Sequence, residues 1–449
     1  MTDMTAATPT TEPAKSILTG NADMRRRAAA ETRFKAYGMF AITVSLGVLA
    51  VMLWTIFSDG VSAFRQAKLT FPITLSSEVL DPKGNGNPAE MAKVTTIGYG
   101  KLIAAAFEAE LTARGIATEG VSSKELGALI SKDAAGVLRA EVLADPSLLD
   151  TTQDRAILAA GRVDGYLKGR VTRETAERDN QISPAMLDLT DRLVEAGILA
   201  ASFNARFLTF PDASDQRPEA AGLGVAILGS AYMMILVALI CVPVGVATSI
   251  YLEEFAPKNR LTDVIEVNIS NLAAVPSIVF GILGLAVFIN FAQFPQSSPL
   301  VGALVLSLMT LPTIIIATRS AIRAVPPSIR DAALGIGASK MQTVFHHVLP
   351  LAMPGILTGA ILGLASALGE TAPLLLIGMV AFVDNYPAPP VEGFLDPATA
   401  LPVQVYSWAS RSDPAFIERS SGAIIVLLAF LLVMNVTAII LRRKFERRW

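Results

Sequence analysis

Sulfur and imidazole chemistry are nearly absent from this chain. One cysteine among 449 residues, Cys241 in an apolar run, excludes an internal disulfide. The two histidines, His346 and His347, are adjacent, and neighbouring positions on a helix point in different directions, so no imidazole metal site is expected. Charge is scarce as well. Only 17% of residues are charged and the net charge is −2, which argues against nucleic acid as a partner. No G-x-x-x-x-G-K-[ST] string occurs. Residues 335–340 (GIGASK) have a phosphate loop's composition with the wrong spacing, so any ATP and its Mg2+ must be held by another chain. No Ser/His/Asp order, Cys/His ligand set or glycine fingerprint stands out, and no catalytic residue is assigned.

What the chain does have is apolar length: 52% of its residues are hydrophobic. A helix crossing a bilayer needs roughly 20 apolar residues. Six runs qualify, at 36–57, 222–252, 269–291, 300–322, 354–380 and 422–441. The first is too long for a signal-peptide core and reads as an uncleaved anchor. Orientation follows from the basic residues near span ends. The tail 1–35 carries Lys15, Arg25, Arg26, Arg27, Arg33 and Lys35, and the tail 442–449 carries Arg442, Arg443, Lys444, Arg447 and Arg448. The loop after the fourth span carries Arg330 and Lys340, whereas 290–299 has no charge. Both termini and the loop 330–350 are therefore expected in the cytoplasm. Glu253 and Glu254 read as a solvated cytoplasmic helix end.

Residues 58–221 are polar, lie between the first two spans and are expected outside the membrane. The segment opens with KLTFPITLS (68–76) and closes with RFLTFPDAS (206–214), two β-prone stretches sharing LTFP whose pairing would bring the domain's ends together. Helical patterns lie between them. One, SPAMLDLTDRLVEAG, has Ser183 as N-cap, Pro184 at the first position and Gly197 as a stop. DPKGNGNP (81–88) reads as a loop. The expected fold class is an all-α polytopic membrane protein with six transmembrane helices and an inserted extracytoplasmic α+β, mainly helical, domain. Its parts are a polar tail (1–35), an anchor (36–57), the inserted domain (58–221), a transmembrane core (222–441) and a basic tail (442–449).

The stretch 330–376 is the most telling. Its soluble half has small residues where another protein's backbone could come close. Its apolar half contains Glu370, and a carboxylate in lipid costs about 2.5–3.5 kcal/mol on insertion scales, so it reads as functional by default. Asp331, Ala332 and Ala333, then Gly337, then Leu349 and Pro350 match the cytoplasmic loop shared by permease subunits of bacterial ABC importers. Two positions depart from that pattern: Asp331 replaces the usual Glu, and His347 stands where an aliphatic is usual. GETAPLL (369–375), IYLEEFAP (250–257), 267–288 and 323–340 are similar to the phosphate-importer permeases of PstA type. This resemblance runs from residue 207 to the C-terminus, and the first span and outer segment resemble an N-terminal extension found in some members.

The resemblance implies a permease subunit for inorganic phosphate in the bacterial inner membrane. It also implies a homologous PstC-type permease, two PstB-type ATPase subunits and a PstS-type periplasmic binding protein as partners. The 331–350 loop would be the coupling helix docked on the ATPase. A phosphate path in low dielectric needs cationic donors, and the arginine fork matches phosphate oxygens. Arg319 and Arg323, four apart on one helix face at the inner end of the fourth span, are the candidates. The positive-inside rule accounts for the same arginines structurally, so both readings stand. Glu370, with Thr371 beside it, is either a gate or brace for the path or an interhelical bond, with Pro373 bending the helix nearby. The nearest competing function is a permease for another oxyanion. A receptor would need a signalling domain after the second span, and an intramembrane hydrolase would need a nucleophile–base pair.

Overall fold

The structure, a computed structural model, describes residues 22–379 and 382–445. Lys15, Val380, Arg447 and Arg448 lie outside the described residues. The chain forms two compact units, Met1–Thr55 and Ile56–Trp449. Helix α1 (Ala22–Gly60) is unbroken, so the basic turn MRRR and the apolar run belong to one helix. From Ala36 to Thr55 that helix is apolar on every side, as a bilayer span requires.

The inserted domain is built on a three-stranded antiparallel sheet in the order β2–β1–β3, with β1 (Arg65–Thr74) central. Ala67, Leu69, Phe71 and Ile73 alternate along β1 and are all buried, the period-2 pattern of a strand with one face on a core. That face meets α2 (Thr96–Ala113), whose Tyr99, Ile103, Phe107 and Leu111 form one helical stripe, with Phe71 and Phe107 rings 5.3 Å apart. β2 (Thr152–Leu158) leads into the short helix α3 (Gly161–Leu167). Helix α4 (Pro184–Glu195) has the expected start, Ser183 accepting from the Met186 amide at 3.4 Å, and Gly197 follows at φ +69°.

The expected pairing of the two LTFP segments is corrected. β1 pairs with β2 and with β3 (Leu199–Phe203), while Arg206–Thr209 is a short helix. The domain's ends do meet, because β3 runs beside β1 and the Asn204 amide donates to the Phe64 carbonyl at 2.8 Å. The second LTFP failed as a strand because Phe207 packs inward against Phe64 and Trp408, closing the junction to the transmembrane core.

That core begins with α5 (Gly224–Ile250), which ends in a π-helical turn, Tyr251–Phe255. The expected third span, 269–291, is not one helix. An amphipathic helix α6 (Arg260–Ala273) and the apolar α7 (Ser277–Gly284, continued as a π-helix to Phe291) meet at 101°. Pro276 sets this break, since proline disfavours helical backbone in the residue before it. Helix α8 (Pro299–Arg323) runs parallel to α5, with Cys241 meeting Ser307 and Ser249 meeting Ile315, and leads to α9 (Pro327–Gly335). Next comes α10 (Leu349–Gly369), the continuation of a helical rod that starts at Lys340. In α10, Gly355, Gly359 and Gly363 line up against α8. A Cβ on Gly359 would stand 2.3 Å from Ala317 Cβ, so this pair packs through small residues as membrane helices do.

The fifth span is therefore shifted: the helix ends at Gly369 instead of running from 354 to 380, and a short helix α11 (Ala372–Leu376) packs on α7. The chain closes with α12 (Leu401–Ala409) and α13 (Pro414–Phe445), the latter containing the expected last span. Five described helices are long and apolar enough to cross a membrane, six if the bent pair counts as one crossing. The molecule is a multi-pass, mostly helical membrane protein.

Candidate functional site

Two elements make the inner end of the core. The first is the hairpin formed by α9 and the rod beginning at Lys340. Asp331 and Ala332 are exposed on α9, Ala333 is buried against the helices behind it, and Leu349 and Pro350 are half-buried where the rod enters the core. Gly337 has φ +90° with open space around its Cβ position. The backbone turn alone requires a glycine here. Ser339 then caps the next turn reciprocally with Gln342. The outward face is apolar: Leu334, Ile336, Met341 and Phe345 are all exposed, Ile336 by 83%. A cluster of large apolar side chains on a polar hairpin marks a protein contact surface.

The second element is an ion-pair network that ties this hairpin to the spans. Arg319 Nε lies 2.5 Å from Glu253 Oε1, and its Nη2 lies 2.6 Å from Glu266 on α6. Arg323 Nε reaches the other Glu253 oxygen at 2.8 Å. One turn below, Arg330 donates to Glu254 at 2.8 and 3.0 Å and to the carbonyls of Ile322 and Val325 at 2.9 and 2.7 Å. Arg330 therefore satisfies orphan acceptors at the end of α8 while holding α9 to the end of α5. Glu253 and Glu254 are not a solvated helix end. Their side chains are 12% and 9% exposed, and every one of these carboxylates is shared between elements.

Of the candidates for a translocation path, Arg319 and Arg323 come together on Glu253, as their four-residue spacing requires. Glu370 and Thr371 are elsewhere. Glu370 sits at the C-terminus of α10 with extended backbone (φ −79°, ψ 123°), so it is in a break between helices and not inside one. Its carboxylate is half-buried and makes no hydrogen bond or ion pair among the described residues. Thr371 precedes α11, whose backbone at Pro373 lies tight against α7: a Cβ on Gly281 would stand 2.7 Å from Pro373 Cα. Sequence reasoning missed Glu266 and the roles of Glu253, Glu254 and Arg330. The available signal was an acidic pair ending an apolar run on the side where cations are the rule.

The outer end carries a different cluster. Lys168 bridges Asp164 and Glu418 at 2.8 Å each, and Arg170 reaches the same two acids at 3.3 and 2.7 Å. Asp164 also accepts from the Ala67 amide at 2.9 Å. Arg419, buried, donates to the carbonyls of Ala221 and Glu219 at 2.7 and 2.8 Å. The Glu219 side chain accepts from Ser131 Oγ at 2.5 Å. Burial holds the Glu219 carboxyl above its ordinary value, against the opposing pull of the Ser131 hydroxyl and Arg419. Beside it Trp408 stacks on Phe207, with its indole N–H on Asp212 at 2.9 Å. These contacts join the inserted domain to the start of α13.

Two family models match the chain. Residues 21–177 match a model described as a domain of unknown function (DUF3333). Residues 242–449 match the model described as binding-protein-dependent transport system inner membrane component. A probable ABC transporter permease protein, YqgI, of Bacillus subtilis is 31% identical over 268 residues, covering 57% of this chain and 88% of that protein. A phosphate transport system permease protein, PstA 2, of Mycobacterium tuberculosis is 34% identical over 52% of this chain and 76% of that protein. The phosphate transport system permease protein PstA of Xylella fastidiosa is 32% identical over 50% and 76%. Among solved structures, the inward facing MetNI methionine ABC transporter aligns loosely, with a TM-score of 0.39 and 16% identity over 49% of this chain and 95% of that one.

Proposed function

Because the chain belongs to the family of binding-protein-dependent transport system inner membrane components, we propose that it is a transmembrane subunit of an ATP-driven importer of inorganic phosphate. Phosphate as the substrate is supported by the relatives named for phosphate transport and by the GETAPLL string at 369–375. The observation that carries the coupling role is the exposed apolar hairpin 327–350 held to two spans by Arg330 and Glu254. In this reading Asp331, Ala332, Ala333, Gly337, Leu349 and Pro350 form the docking hairpin for a PstB-type ATPase. ATP and Mg2+ bind that partner, two copies of it per complex, and this chain has no catalytic residue of its own. A PstC-type permease completes the path in the lipid bilayer, and a PstS-type protein delivers phosphate.

The working cycle is alternating access. Closure of the ATPases moves the hairpin, and Arg330–Glu254 passes that motion to the ends of α5 and α8. Arg319 and Arg323 then act at the inner gate: a phosphate leaving the path competes with Glu253 for the same guanidinium forks. Glu370 and Thr371, at the break between α10 and α11, form a gate or brace farther along. The hairpin side is cytoplasmic, both termini are cytoplasmic, and residues 58–221 face the periplasm of a bacterial inner membrane. Helix α5, 27 residues and about 40 Å long, separates the two sides.

The test is copurification with the ATPase and binding-protein partners, then ATP-dependent uptake of labelled phosphate into liposomes. Phosphate uptake that sulfate and molybdate do not displace is the expected result. Uptake of another oxyanion in its place transfers the reading to a permease for that ion.

A further inference from the structure

We propose that Pro350 is a positioning residue: it holds open the π-helical turn Val344–Val348, and that turn is the joint at which the ATPase-docking hairpin swings against α10. This rests on the reading of 327–350 as that hairpin. In the turn the Leu349 amide donates to the Val344 carbonyl, five residues back instead of four, so the turn holds one residue more than an α-helix does. The cause lies next along the chain. Proline has no amide hydrogen, and inside a helix its ring strikes the carbonyl four residues back, here that of His346. Widening the turn ahead of Pro350 moves that carbonyl clear, and the rod continues past the proline to Gly369.

The same arrangement occurs once more at this end of the core. Helix α5 ends in the turn Tyr251–Phe255, where the Ala256 amide donates to the Tyr251 carbonyl at 2.7 Å. Pro257 follows two residues after Phe255, as Pro350 follows two after Val348. Turns of this kind are rare and gather at functional sites. The two lie in one apolar cluster through Ile250, Val344 and Val348, with Phe255 packed on it and the Lys340 ammonium 5.4 Å from the Phe255 ring centre. The α5 turn carries Glu253 and Glu254, the acceptors of the ion-pair network. The other turn exposes Phe345, His346 and His347, so its excess residue lies on the open side. Thr343, buried just before it, has a hydroxyl with no hydrogen-bond partner among the described residues. A buried hydroxyl without a partner is a local cost that another setting of the turn relieves.

The excess residue gives the rod a way to move. If it passes along the rod, each residue it crosses turns by about 100° and slides by about 1.5 Å. The hairpin then rotates and tilts with the ATPase while α10 keeps its contacts with α8, where Gly359 and Ala317 leave no room to slide. A rod that was α-helical throughout would carry α10 with it.

The experiment places spin labels at Ser328→Cys on the hairpin and Leu362→Cys on α10, both exposed positions, in the whole complex in liposomes. It records their distance with and without ATP, beside phosphate uptake per ATP hydrolysed. With the native turn the distance should change by a few ångströms on ATP binding. A chain lacking His346 and carrying Pro350→Ala loses both the excess residue and its cause, and keeps the two sides of the rod facing as they do now. In that chain the distance should stay fixed and uptake per ATP should fall several-fold. His346→Ala keeps the turn and should match the native chain in both readings. A native distance that ATP leaves unchanged overturns the assignment, and so does a straightened chain that moves and transports as the native one does. If the straightened chain does not assemble, the native distance alone decides. Absence of ATP-driven uptake in the native complex sinks the importer reading itself; normal uptake with a fixed native distance removes the joint alone.

Discussion

The two ends of the core are both held by arginines and carboxylates, yet they are built on opposite principles. At the outer junction Asp164, Glu418 and Arg419 are 2–6% exposed, and their partners are backbone groups and charges on all sides. Removing one member there strands a buried charge, so the junction has one stable arrangement. At the inner end Arg323 is 62% exposed, and Glu253 divides itself between two arginines. The Arg323–Glu253 pair, open to solvent on its arginine side, is worth about 0–1 kcal/mol and re-forms easily with other partners, although Arg319 and Glu253 themselves are 11% and 12% exposed. In the proposed cycle, the inserted domain and the start of the last span would move as one, while α5, α6, α8 and α9 would exchange contacts.

The contrast can be broken most strongly from the outer side. Glu418→Ala leaves Lys168 and Arg170 facing Asp164 alone and should cost about 3–5 kcal/mol, seen as a large fall in Tm of the purified subunit. A Tm within a degree of wild type would mean that the junction is not the rigid end. Next in size, Arg319→Gln loses two carboxylate partners and Arg323→Gln only one, so uptake should fall several-fold in the first and less in the second, with copurification of the ATPase intact. Unchanged uptake in both would remove the arginines from gate and path alike. The smallest effect concerns pH. Because the folded state holds Glu219 above its ordinary value near 4.5, it binds that proton more tightly than the unfolded chain does. The resulting stabilisation is present at low pH and lost as pH rises through the raised value. Glu219→Gln should flatten that part of the Tm–pH curve; an identical slope in both proteins would contradict it.

The apolar spans were legible because each run is long and nearly uncharged, and the inserted domain because its composition changes abruptly. The cap at Ser183 and the loop at 81–88 were legible for local reasons of the same kind. The bend at Pro276 and the break at Glu370 were not. Hydropathy counts apolar residues without regard to direction, so it passes over both the turn that Pro276 sets and the break beyond which α11 packs on α7. The second LTFP misled because Phe207 is as good a core residue for a helical junction as for a strand. Glu253 and Glu254 looked solvated because their partners lie on α8 and α9, far along the sequence. The turn at Gly337 was not legible, because only the backbone angle reveals it.

One distance experiment addresses the contrast directly. Spin labels at Lys124→Cys and Ser410→Cys span the outer junction, and labels at Arg260→Cys and Ser328→Cys span the inner network, in the assembled complex with and without ATP. The account predicts that the inner distance changes on nucleotide binding while the outer distance stays fixed. A moving outer pair with a static inner pair would contradict it.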